Sequence, residues 1–141
     1  MKRPISMLLV ALLLACCTSV GAYADEETAG DITPFYEYAK NVTATLSIDS
    51  SGNATCQGRI IPKESSYSCS ITVQLKRKSG STWTTVATWS DSGKGLSGAS
   101  AGGTRSVSSG YSYKVSVSAT VKNASGDVVE NPSKDSSVKT Y

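Results

Sequence analysis

Residues 111–122 alternate without a break. Tyr111, Tyr113, Val115, Val117, Ala119 and Val121 fall in one phase, and Ser112, Lys114, Ser116, Ser118, Thr120 and Lys122 in the other. That two-residue period predicts a β-strand with one face buried and one face wet. The turn Ser108-Ser109-Gly110 leads into it. No segment beyond residue 24 carries a helical period, so the apolar face must be covered by a second sheet.

Other segments repeat the pattern. Val42, Ala44, Leu46 and Ile48 mark a first strand, and Ser50 to Asn53 turns it into a second, Ala54 to Ile61, ended by Pro62. Tyr67, Cys69, Ile71, Val73 and Leu75 mark a third, and Ser79-Gly80-Ser81 predicts a hairpin into a fourth, Thr82 to Ser90. In that fourth strand Trp83, Thr85, Ala87 and Trp89 share a phase while Val86 lies in the other, which predicts a bulge or an edge position. Residues 91–104 are rich in Gly, Ser and Ala and predict a loop with a weak strand near Leu96 to Ala101. Asp127 to Glu130 and Ser137 to Tyr141 are the last candidates, with Pro132 between them. Short strands at turn-marked intervals predict an all-β, two-sheet sandwich.

The chain opens with Lys2 and Arg3, an apolar run from Ile5 to Ala15, and Ala22-Tyr23-Ala24 before Asp25. This is the pattern of a cleaved export signal over residues 1–24, and the run is too short to span a bilayer. An alternative is a lipid anchor at Cys16, after Leu13-Leu14-Ala15. Residues 25–41 form a polar tail and lead-in, and residues 42–141 the sandwich domain. Lys2 and Arg3 leave with the signal, which takes the formal charge from +3 to +1. Bulk charge therefore gives no reason to expect a nucleic-acid partner, and the cluster Lys76-Arg77-Lys78 is expected to be a solvated edge. Cys56 and Cys69 remain after cleavage. In an exported chain such a pair is expected to form one disulfide, contributing about 3 kcal/mol, with two buried free thiols as the other possibility.

The chain has no histidine. That removes the commonest general base and any Ser-His or Cys-His nucleophile pair, and it removes the commonest zinc ligand. The carboxylates fall in the tail, in turns and at strand ends, no calcium loop or phosphate loop is present, and no cofactor is expected. The expectation is a non-enzyme. Aromatic residues are the remaining site candidates. Trp83, Trp89, Tyr36 and Tyr38 are the possible platform for a sugar ring or a protein partner.

Val107, Gly110, Tyr113, Val115, Val117 and Ala119 resemble, in their spacing, the corner-and-strand signature of fibronectin type III and immunoglobulin-like domains. The resemblance implies a structural tyrosine corner at Gly110 and Tyr113, with the Tyr113 hydroxyl bonded to nearby backbone. Cys56-Gln57-Gly58 stands where that family usually carries a core tryptophan. As a whole the chain is also similar to small exported proteins of unknown function from anaerobic Gram-positive bacteria. It resembles them in its signal peptide, Tyr-Glu-Tyr start, Lys-rich hairpin before Trp and Ser-Gly-Tyr-Ser-Tyr strand. This resemblance implies a fold and a secreted address, and no catalytic residue. The functional expectation is a non-catalytic binding module with a protein partner at or outside the cell envelope. A carbohydrate-binding module and a ligand-free spacer are the alternatives.

Overall fold

The computed structural model describes residues 35–141. The segment expected to be an export signal, Cys16 and the expected tail up to residue 34 lie outside the described residues. The chain forms β1 (Ala39–Ile48), β2 (Asn53–Pro62), β3 (Ser68–Ser79), β4 (Thr82–Lys94), β5 (Ala99–Ser106), β6 (Ser112–Lys122), β7 (Val128–Glu130), β8 (Ser133–Asp135) and β9 (Lys139–Thr140). One sheet has the order β1-β2-β5. The other has the order β4-β3-β6, with β7, β8 and β9 in turn along the far side of β6. All pairings are antiparallel.

The two sheets bury their alternate residues against each other. Ala54, Cys56 and Ile60 of β2 face Ile71, Val73 and Leu75 of β3 and Val115, Val117 and Val121 of β6. Gly58 lies in the same inward phase, and a methyl group there would meet Val73 Cγ2 at 2.6 Å and Val117 Cγ2 at 2.7 Å. Two branched side chains of one sheet thus fill the space that the other sheet leaves empty, which is how a core reaches close packing without a large residue at its centre.

Besides a slip between Val121 and Lys122 where β7 joins β6, two bulges adjust the pattern. The pairing of β3 with β4 slips between Leu75 and Lys76, leaving Val86 as the extra residue. The pairing of β1 with β2 slips between Ala39 and Asn41, so that Ala39 and Val42 are both buried. β1 therefore begins within the segment expected to be a lead-in. Glu130 fixes this start. Its carboxylate accepts hydrogen bonds from the backbone N–H groups of Glu37 at 2.8 Å, Tyr38 at 3.0 Å and Ala39 at 2.8 Å. Glu130→Ala is expected to cost about 2 kcal/mol, as hydrogen bonds to a charged group are lost. Faster amide exchange at Tyr38 and Ala39, together with a lower denaturation midpoint, would register the loss.

Three sequence expectations need correcting here. The weak strand near Leu96 is instead a 3₁₀ turn over Gly95–Ser97 with Leu96 exposed, and the strand itself starts at Ala99. Tyr111 precedes β6 and is 38% exposed, so it does not extend the buried row. Cys56 and Cys69 are free thiols, and the expected disulfide is absent. The thiols sit in opposite sheets and at different levels. Trp89, the β4 partner of Val73, packs on Gly103, the β5 partner of Cys56. Gly58 is the β2 residue that meets Val73. Gly93, the β4 partner of Cys69, meets Gly98 beside Ile60, so Cys69 lies toward the Ile60 end of β2 and away from Cys56. A disulfide needs its Cβ atoms within roughly 4.5 Å. Burial pushes the Cys56 thiol up to about 11 and also raises that of Cys69, so both are poor nucleophiles as folded. We expect alkylation mapped by mass spectrometry, without reductant, to label Cys56 and Cys69 in denaturant and neither in the native protein. An unlabelled pair after unfolding would restore the disulfide.

Candidate functional site

The bulge at Val86 decides where the tryptophans go. Beyond it, Ala87 and Trp89 pair with Leu75 and Val73 and share their inward phase. Before it, Trp83 and Thr85 pair with Lys78 and Lys76 and share their outward phase. The sequence places both tryptophans in one phase, and the extra residue separates them onto opposite faces of the sheet.

Trp89 is half-buried and lies against Gly103, where any Cβ would press into its indole at 2.5 Å from Nε1. It covers the side of the sandwich where edge strands β4 and β5 approach. A shallow groove of about 630 Å³ runs beside it, lined by Gln57, Asp91, Ser100 and Gly102 among others. Asp91 Oδ2 accepts the Ser100 N–H at 3.2 Å and ties the two edges together. Asp91 is the one acid lining this groove.

Tyr36 and Tyr38 belong to a third location. The Tyr36 hydroxyl donates to the Ser133 carbonyl at 2.7 Å, and its own carbonyl accepts from Lys63 Nζ at 2.7 Å. Burial, then the nearby Glu130 charge, raises the Tyr36 pKa. Tyr38 tilts against Tyr67 with ring centroids 6.2 Å apart, and the Glu37 charge raises its pKa. Both rings secure the start of β1. The four aromatics expected to share a platform therefore lie in three separate places.

Trp83 is the one that gathers other chemistry. On the outer face of the β4-β3-β6 sheet, Lys78 is its cross-strand partner, and Lys76 stands directly opposite Lys114 of β6. Lys114 Nζ lies 4.8 Å from the Trp83 ring centroid and 2.7 Å from Asp135 Oδ2 of β8. Partial burial pushes the Asp135 carboxyl up. The hydrogen bonds from Lys114 and Ser116 and the charges of Lys114 and Lys76 outweigh it and hold the group below the usual carboxylate range. Along the same strand end, the Arg77 guanidinium stacks 4.6 Å from the Tyr111 ring centroid. Arg77 Nε is buried and has no hydrogen-bond partner. Lys114 pairs with Asp135, and among the described residues no carboxylate is ion-paired with Lys76, Arg77 or Lys78.

Composition hid this arrangement, because a near-neutral chain gives no hint of four cations gathered at one end of a sheet. The run Lys76-Arg77-Lys78 was its visible trace, and Lys114 joins it only through strand pairing.

Tyr113 is almost completely buried at 1% exposure, and its hydroxyl donates to the Ser108 carbonyl at 2.7 Å. Gly110, in the turn between them, has φ of +85°, a backbone conformation that suits glycine. These two residues build the turn, and Tyr113 also stands opposite Arg77 in the β3–β6 pairing. Among the described residues there is no group of three or more His, Cys, Asp or Glu side chains placed to hold a metal ion, and no helix long and apolar enough to cross a membrane. No protein-family model and no curated protein matches the chain.

Proposed function

We propose that this chain is an exported, non-catalytic binding module that engages a protein partner at or outside the cell envelope. Its fold is of the immunoglobulin or fibronectin type III kind. A three-stranded sheet facing a larger one, and a corner tyrosine bonded back to the turn upstream, support that fold reading. The export reading rests on the signal pattern of residues 1–24.

The observation that carries the functional reading is the outward Trp83 ringed by Lys76, Lys78 and Lys114. A tryptophan on the wet face of an edge strand is not needed by the core, and tryptophan and arginine are the residues most enriched at binding hot spots. A peptide fits better than a sugar. Lys114 already lies over the indole ring, so a pyranose would have to displace it in order to stack.

The test is capture from culture fluid and envelope extract by the purified protein, beside a Trp83→Ala copy with an unchanged denaturation midpoint. A protein retained by the wild type and lost by the variant supports the reading. A partner retained equally by both removes this surface from the site, and capture of glycan alone overturns the protein partner.

A further inference from the structure

We infer that the partner segment bound at this surface is acidic: a carboxylate-rich peptide that reaches around the end of the β3–β4 hairpin. This rests on the Trp83 surface being the binding site.

Charge and geometry lead to that partner. Lys76 and Lys114 are direct cross-strand neighbours on one face, and like charges so placed repel each other. Asp135 pairs directly with Lys114 and reaches Lys76 only at longer range. Lys78 extends the cationic row to the hairpin, where Gly80 and Ser81 make the turn with nothing packed over Gly80. Arg77 points to the opposite side of β3, pairing in register with Tyr113. Its guanidinium rests on the part-exposed Tyr111 ring, which fixes the plane of its donors. A planar guanidinium held this way presents its donor fork to a carboxylate. The Nε itself is buried without a partner, so the rest of the part-exposed guanidinium is what an incoming carboxylate meets.

The cations therefore lie on both sides of one strand end, with an aromatic ring on each side: Trp83 with the lysines, Tyr111 with the arginine. A single rigid sugar ring contacts one side. A flexible chain bearing several carboxylates contacts both, while its non-acidic side chains meet the indole.

The probe is a fluorescently labelled Glu-rich peptide, read by anisotropy against the purified protein, beside the same peptide with Gln in place of every Glu. Polygalacturonate is the polysaccharide control. The Glu peptide is expected to bind, with the Gln peptide and the Lys76→Glu/Lys78→Glu protein each weaker by about tenfold or more. Added salt should weaken the Glu peptide steadily. Arg77→Gln should weaken it too while leaving the denaturation midpoint of the protein within experimental error. Equal binding of the two peptides, or binding of polygalacturonate without the Glu peptide, overturns the inference. The underlying surface is tested apart from its acidity. A captured partner lost with Trp83→Ala but kept by Lys76→Glu/Lys78→Glu leaves the surface standing and overturns only the acidic segment.

Discussion

Tyr113→Ala is expected to lower stability by about 3–5 kcal/mol, the usual cost of truncating a buried aromatic side chain. Tyr113 is the largest fully buried side chain among the described residues. Its neighbours in β6, Val115 and Val117, are branched and already packed against the opposite sheet, so they have little freedom to collapse into the vacated space. Tyr113→Phe keeps the ring and removes only the hydroxyl bonded to the Ser108 carbonyl. It should cost about 1 kcal/mol. The pair of variants separates packing from hydrogen bonding in one denaturation experiment. A Phe variant with an unchanged midpoint would show that the corner hydrogen bond contributes nothing, whatever the alanine variant does. Neither change should affect the proposed binding at Trp83 except through loss of folded protein.

Gly98→Ala is expected to cost about 3 kcal/mol or more, for two separate reasons. Gly98 holds φ 66° and ψ −156°, a region that only glycine enters without strain of about 1–3 kcal/mol. A Cβ there would also run into the carbonyl oxygen of Ile60, which is backbone within β2 and cannot swing aside. The position is demanding because the chain changes sheets here, leaving β4 in one and entering β5 in the other within the turn Gly95–Ser97. Gly93 approaches Gly98 just as closely from the β4 side. Gly80→Ala gives the contrast. That glycine also has a positive φ, of 62°, but nothing lies within 4 Å of its Cβ position, so only the backbone strain remains. A Gly98 variant no less stable than the Gly80 variant would show that the sheet crossing is looser than its geometry.

Strands whose inward residues are Val, Ile, Leu or Tyr were legible from the sequence. β3 carries Ile71, Val73 and Leu75 and β6 carries Tyr113, Val115, Val117 and Val121, and each strand forms with the predicted face inward. β5 was hard to see because its inward residues are only Ala99 and Ala101 before Gly103, so burial there produces almost no hydrophobic contrast. The edge along β6 was fragmented for a different reason. Pro132 cannot donate a ladder hydrogen bond and lies between β7 and β8, and between β8 and β9 the Ser136 side chain stands in as acceptor of the Val115 N–H at 2.9 Å. Three short strands result where the sequence pattern predicted two.

The candidate site was legible only in part. The out-of-phase Val86 announced an irregular fourth strand, and the structure makes it both a bulge and an edge. Which tryptophan that bulge would turn outward depended on the register of β4 against β3, a long-range pairing that no local pattern encodes. The thiols repeat the lesson. Thirteen residues of separation in a chain expected to be exported made a disulfide reasonable, and the sheet assignment of β2 and β3 places the two sulfurs on opposing walls at different heights.

Local periodicity alone therefore determined that the described chain is all-β and which residues of β3 and β6 face inward. These follow from side chains alternating across a pleat, a property of each strand by itself. The role of Tyr113 in anchoring a turn came from the resemblance in spacing. The tertiary structure decided the rest: the separation of Trp83 from Trp89, the placing of Lys114 beside Lys76, and the parting of Cys56 from Cys69. Each of these depends on which strand lies beside which and in what register. Residues far apart in sequence become neighbours there, and their charges and rings meet only after the sheets have formed.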